Sequence, residues 1–138
     1  MSYTVRILIV DDDQNIRKAL SSVLKSDGYL VDAAENGAEA IKKAEMNFYN
    51  LAFIDVRLPD VNGLELLIAI NRISPNTLKI ILTGYPSSQD SIEATKRGAA
   101  GYMTKPVAMD ELLCAVKDHL AKQRETISHQ GKCVTELT

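Results

Sequence analysis

Apolar and polar positions along the chain alternate between two periods, and the alternation repeats five times. Val5-Arg6-Ile7-Leu8-Ile9-Val10 is a short apolar run that Asp11-Asp12-Asp13 interrupts, as expected of a strand. From Gln14 to Ser26 the apolar residues Ile16, Ala19, Leu20, Val23 and Leu24 recur at helical spacing. Asp27-Gly28 ends that helix, Gly28 being suited to a left-handed cap. Leu30 to Ala34 predicts a second strand, and Asn36-Gly37 turns into a helix carrying Ala40, Ile41 and Ala44. Leu51-Ala52-Phe53-Ile54-Asp55 is a third strand whose apolar run stops on a carboxylate. Gly63 opens a helix with Leu64, Leu67, Ile68 and Ile70, stopped before Ser74-Pro75-Asn76. Leu78 to Leu82 predicts a fourth strand ending at Thr83-Gly84, and a more polar helix runs from about Ser88 to Arg97. Gly101-Tyr102-Met103 is a brief fifth strand closed by Thr104-Lys105-Pro106. The last helix runs from near Asp110, through Leu112, Leu113, Val116 and Leu120, to about Gln123.

Strand and helix in strict alternation predict an α/β fold, a doubly wound parallel sheet with helices on both faces. Ligands of such sheets bind outside the carboxyl ends of the strands. Here those ends deliver Asp11 and Asp12, Asp55, Thr83 and Lys105. With the order 2-1-3-4-5 the first and third strands are neighbours, and the topology reverses between them. Three carboxylates crowded there raise each other's pKa unless a cation joins them. An all-oxygen set of this kind suits Mg²⁺ or Mn²⁺. Each residue also has a plainer role: Asp13 as a helix cap, Asp11 or Asp12 as a solvated loop acid, Thr83 as a strand-end hydroxyl, Lys105 as a surface charge. Their convergence on one edge outweighs these separate readings.

Composition narrows the class. The 138 residues fit one domain, expected over 1–123, with the polar, aperiodic 124–138 as a tail or linker. Sixteen basic against eighteen acidic residues leave a net charge of −2 and no electrostatic footprint for nucleic acid. The apolar runs are too short to span a membrane, no signal peptide is recognisable, and a cytoplasmic protein is expected. Cys114 and Cys133 suggest neither a disulfide framework nor a zinc site. His119 and His129 read as solvated, Glu35-Asn36-Gly37 as a turn, and Glu111 and Lys117 as surface charges.

Four pieces in this order and spacing carry a family resemblance: Leu8-Ile9-Val10-Asp11-Asp12-Asp13; Ile54-Asp55-Val56-Arg57-Leu58-Pro59 with Gly63; Thr83-Gly84; and Gly101-Tyr102-Met103-Thr104-Lys105-Pro106. From Val5 to about Gln123 the chain resembles a receiver domain of a two-component response regulator. The resemblance implies the flavodoxin-like, five-stranded form of the fold with five helices. It implies that Asp55 accepts a phosphoryl group from a phosphohistidine of a sensor histidine kinase or phosphotransfer protein. Asp12 and Asp55 would bind Mg²⁺ directly and Asp11 largely through water, with the backbone carbonyl of Arg57 completing the protein ligands. Lys105 would pair with the phosphoryl oxygens across a cis Lys105-Pro106 bond, Thr83 would donate its hydroxyl, and Gly84 would keep the approach open. Thr83 and Tyr102 would switch the surface of the fourth helix, fifth strand and fifth helix towards an unknown downstream effector. Ala115 stands where many DNA-binding members carry a basic residue that helps pair two receivers, so that mode of pairing is not expected. Another phosphorylation-dependent homodimer is left open. After Gln123 the protein either acts alone through protein contacts or continues to an effector.

The main alternative is an enzyme, an aspartyl phosphatase of the haloacid dehalogenase type using Asp11 and Asp13. Gln14-Asn15 stands where that family carries Gly-Thr or Gly-Val. A flavodoxin-like electron carrier would need a Ser/Thr/Gly-rich phosphate loop, and Asp11-Asp12-Asp13 would repel its flavin phosphate. A receiver-like adaptor that is never phosphorylated is the third alternative, set against a complete set of acids.

Overall fold

A computed structural model describes residues 4–136, with side chains over 4–124. The elements alternate as β1 (Arg6–Val10), α1 (Gln14–Ser26), β2 (Leu30–Ala34), α2 (Gly37–Met46), β3 (Leu51–Asp55), α3 (Gly63–Ile73), β4 (Leu78–Thr83), α4 (Ser88–Lys96), β5 (Gly101–Thr104) and α5 (Met109–Glu136). The sheet is parallel throughout in the order β2-β1-β3-β4-β5, the doubly wound fold expected from the alternation.

Alternation along each strand divides the core between the two faces. Leu8, Val10, Ala52, Ile54 and Ile81 face α2, α3 and α4, joined by Ala40, Leu67, Ile70 and Ala94. Ile7, Ile9, Leu51, Phe53, Ile80 and Leu82 face α1 and α5, joined by Leu20, Leu24, Leu112, Val116 and Leu120. All of β3 is buried, because it lies at the centre of the sheet beneath both layers. Each such Leu, Ile or Phe contributes roughly 1.5–3 kcal/mol by leaving water. The layers are not equally anchored. Helix α4 buries only Ala94 among its described side chains, and its Ile92 is 58% exposed.

Local signals for the helix ends hold. Asp13 caps α1 by accepting from the amides of Asn15 and Ile16. Gly28 and Gly98, just beyond α1 and α4, both have positive φ, the backbone region that favours glycine. The last helix departs from expectation. Its apolar spacing fades at Gln123, yet the main chain stays helical to Glu136. Fading amphipathicity removes a reason to pack, but a helix already nucleated gains one main-chain hydrogen bond per added residue without needing a packed face. Among the described residues no helix is long and apolar enough to cross a membrane.

Candidate phosphoacceptor site at the carboxyl edge

Register brings the strand ends together. Val10 pairs with Ile54, so Asp11 leaves β1 beside Asp55 at the end of β3. Asp55 in turn pairs with Leu82, and Thr83 follows it to pair with Thr104, which precedes Lys105. Carboxylate oxygens of Asp11, Asp12 and Asp55 lie within 4.8 Å of one another. Lys105 Nζ reaches 2.5 Å from Asp11 Oδ2 and 3.2 Å from Asp55 Oδ2. Asp11 and Asp55 are buried, while Asp12 is exposed at the mouth.

The charges do not balance: three acids face one lysine. Burial and then the charge of Asp11 push the Asp55 carboxyl above its ordinary pKa, with Lys105 and the Arg57 amide pulling the other way. Burial alone would lower Lys105, but its hydrogen bond to Asp11 and the charges of Asp11 and Asp55 hold it above the ordinary lysine value. A divalent cation would neutralise the surplus, and the all-oxygen donor set with an open mouth fits a hard ion such as Mg²⁺.

The loops behind the edge are tightly built. Gly63 N donates to Val56 O at 2.7 Å, and a Cβ on Gly63 would lie 2.1 Å from Asp55 O, so only glycine closes this loop. The Arg57 amide donates to Asp55 Oδ1 at 3.3 Å. Thr83 is buried, and its Oγ1 accepts from Tyr85 N at 3.1 Å. The Tyr102 hydroxyl accepts from Ser87 N at 3.3 Å. A single loop, 84–87, therefore touches both expected switch residues. A Cβ on Gly84 would meet no protein atom within 4 Å, so packing does not explain that glycine. Lys105-Pro106 is cis, as the resemblance implied.

Arg17, Tyr85 and Asp60 at this edge escaped the sequence reading, as did the side chain of Arg57. Arg17 Nη1 donates to Asp11 O at 2.6 Å, and Nη2 lies 3.9 Å from Glu35. Its place one turn after Asp13 was the available signal. The Arg57 guanidinium stands 3.9 Å over the Tyr85 ring centroid, a contact no local pattern encodes. Asp60 accepts from the first two amides of α2. His119 requires a correction, since it is not freely solvated. It is half-buried, a Cβ on Gly101 would lie 3.2 Å from its Nε2, and burial followed by the Lys122 charge lowers its pKa. Helical spacing alone could not show that the glycine of β5 leaves room for this ring. The side chain of His129 lies outside the described residues.

A family model of the response regulator receiver domain matches residues 7–117. The chain belongs to this family. It is 37% identical over 114 residues to the transcriptional regulatory protein GlrR of Escherichia coli (strain K12), covering 83% of this chain and 26% of that protein. The receiver thus spans about a quarter of that relative's length. The crystal structure of a CheY-like receiver domain protein from Methanospirillum hungatei JF-1 is similar at a TM-score of 0.88 and 39% identity, over 90% of this chain and 99% of that one. A Burkholderia pseudomallei response regulator with a phosphorylated aspartic acid, calcium ion and citrate matches at a TM-score of 0.78 and 29% identity, over 88% and 72% of the two chains. Receiver-family membership leaves the haloacid dehalogenase alternative without support. The structure gives the physical reason: both amides that Asp13 binds belong to α1, so its carboxylate serves the helix.

Proposed function

We propose that this receiver takes a phosphoryl group onto Asp55 from a phosphohistidine of a sensor histidine kinase or phosphotransfer protein. The observation that carries this reading is the buried Asp55 carboxylate, 3.2 Å from Lys105 and grouped with Asp11 and Asp12. The Burkholderia neighbour, with its phosphorylated aspartic acid, lends support from the same family. One Asp55 oxygen attacks phosphorus, the phosphorus–nitrogen bond breaks, and the imidazole leaves with the electron pair. Asp55 needs no general base because it is already ionised. Positioning and charge neutralisation dominate such a transfer. Mg²⁺, or Mn²⁺ in its place, supplies positive charge where the oxygens converge. Asp12, Asp55 and the Arg57 carbonyl would hold it, with Asp11 acting through water. Lys105 meets the remaining phosphoryl charge as a point cation. The domain acts as a signalling module that assists its own phosphorylation and dephosphorylation.

Output runs through Thr83 and Tyr102. A phosphoryl group draws the Thr83 hydroxyl inward, and loop 84–87, bonded to both residues, passes the change to the weakly anchored α4. The downstream effector reads the face of α4, β5 and α5, and a phosphorylation-dependent homodimer would pair in a mode that needs no basic residue at Ala115. We place the receiver at 1–123, with 124–138 as tail or linker, in the cytoplasm. The test is acetyl phosphate with Mg²⁺, followed by mass measurement. One added phosphoryl group is expected, and none in Asp55→Asn; equal labelling of the variant would overturn the assignment. Thr83→Ala should still accept phosphate while losing the change in amide exchange across 88–103.

A further inference from the structure

The loop that would offer the Arg57 carbonyl to the metal is not free. Its neck is closed by the Gly63-to-Val56 hydrogen bond and the antiparallel bridge between Arg57 and Asn62. Its tip reaches sideways to α2. Asp60 Oδ1 accepts from Gly37 N at 2.8 Å, and Oδ2 accepts from Ala38 N at 2.9 Å. The next residue packs as tightly: a Cβ on Gly37 would lie 2.3 Å from Val61 Cγ1. Glycine at this position therefore serves the loop's close approach.

Helix α2 already has a cap of its own, since Asn36 accepts from Glu39 N at 2.8 Å. Ala38 is exposed, and water could satisfy its amide. The helix therefore needs Asp60 less than the loop does. For the loop, a carboxylate held at both oxygens fixes the tip three residues beyond Arg57. Those two amides, Gly37 first and Ala38 second, hold the Asp60 carboxyl below its ordinary pKa, so the clamp persists in acid longer than a free aspartate would.

We propose that Asp60 is a positioning residue for the metal, clamping the β3–α3 loop to the start of α2 so that the Arg57 carbonyl is held ready as a ligand. This deepens the proposed function and rests on Mg²⁺ being held at Asp12, Asp55 and Arg57. Coupling of this kind is reciprocal. A cation that draws on the Arg57 carbonyl tightens the loop, and the loop tightens the first turn of α2.

The test is Mg²⁺ titration by calorimetry on the full chain, with urea unfolding in chelator as the control for folding. Asp60→Ala should weaken Mg²⁺ roughly tenfold, at the low end of what losing a group behind a metal ligand costs. Asp60→Asn, which keeps one acceptor oxygen, should fall between it and the parent. Asn36→Ala also uncaps α2 but leaves the loop clamped, so its Mg²⁺ affinity should match the parent's despite lower stability. In the parent, Mg²⁺ should slow amide exchange at Gly37 and Ala38 more than at Glu39. An unchanged Mg²⁺ affinity in Asp60→Ala would reduce Asp60 to an ordinary helix cap. Equal weakening in Asn36→Ala would overturn the inference too, by making helix stability the cause. A parent that binds no Mg²⁺ removes the underlying reading as well, and that is seen before any variant is made.

Discussion

The two ends of one sheet are built on opposite electrostatic plans. At the carboxyl edge three acids share a single lysine, and burial makes the imbalance worse. At the amino edge the polar groups are largely neutral and interlocked. Gln123 donates to the carbonyls of Asn50 and Asn76 at 3.1 and 2.7 Å, while its Oε1 accepts from Asn50 Nδ2 at 3.2 Å. Asn50 Oδ1 accepts the Arg6 amide, and Thr77 Oγ1 donates to Tyr49 O. Every buried side-chain nitrogen and oxygen among the described residues has a partner, so the edges differ in charge rather than in hydrogen bonding. A closed neutral network stabilises without inviting a ligand. A hydrogen-bonded cluster with surplus charge folds at a cost and is relieved when a cation arrives.

Breaking the quiet edge should have the largest effect on stability. Gln123→Ala removes three hydrogen bonds at once, to Asn50 Nδ2, Asn50 O and Asn76 O, and should cost roughly 2–3 kcal/mol in urea unfolding. Mg²⁺ affinity should be untouched. A parallel loss of affinity would mean the edges are energetically joined.

Mg²⁺ should act in the opposite sense at the other edge. At ten times its dissociation constant it should stabilise the folded chain by about 1.4 kcal/mol. The gain should shrink as pH falls and the carboxylates take up protons. Thermal unfolding with and without chelator at several pH values reads this directly.

Asp55→Asn should stabilise the metal-free protein. Because its pKa is raised in the fold, the folded chain binds that proton more tightly than the unfolded chain. Stability therefore falls as pH rises from the ordinary carboxyl value through the raised one, and the penalty is complete above it. Removing the charge should raise the melting temperature near neutral pH by a few degrees, equivalent to about 1 kcal/mol. Asp12 is exposed at the mouth of the site, where water screens its charge, so Asp12→Asn should relieve less. Equal relief would place the strain at the mouth of the site.

The smallest effect belongs to Lys79, the buried charge of the quiet edge, whose Nζ donates to Asn71 Oδ1 at 2.7 Å. Burial lowers its pKa, so the unfolded chain holds that proton more firmly. Stability should then rise with pH between the lowered value and the ordinary 10.5. Lys79→Met should remove this alkaline rise and change stability near neutral pH by less than about 1 kcal/mol, because a buried charge offsets its own packing. Alkaline urea titrations of both proteins measure it.

Strand identity, helix faces and the acidic strand ends were legible in the sequence because each is a local pattern. A strand is a few apolar residues, a helix a stripe, and the charged residue at its end lies next in the chain. From that alone the two-sided sheet followed, along with the family and the grouping of Asp11, Asp12, Asp55, Thr83 and Lys105 at one edge. Meetings across the chain were decided only by the tertiary structure. Asp60 clamps Gly37 from 23 residues away, and Gln123 and Asn50 interlock across 73. Local spacing carries no information about such pairs, since each exists only once the helices have packed. His119 against Gly101 belongs with them, as does Arg57 over Tyr85. The continuation of α5 past Gln123 was hidden for a related reason: the pattern reports which face packs, whereas helix length depends on how far propagation runs.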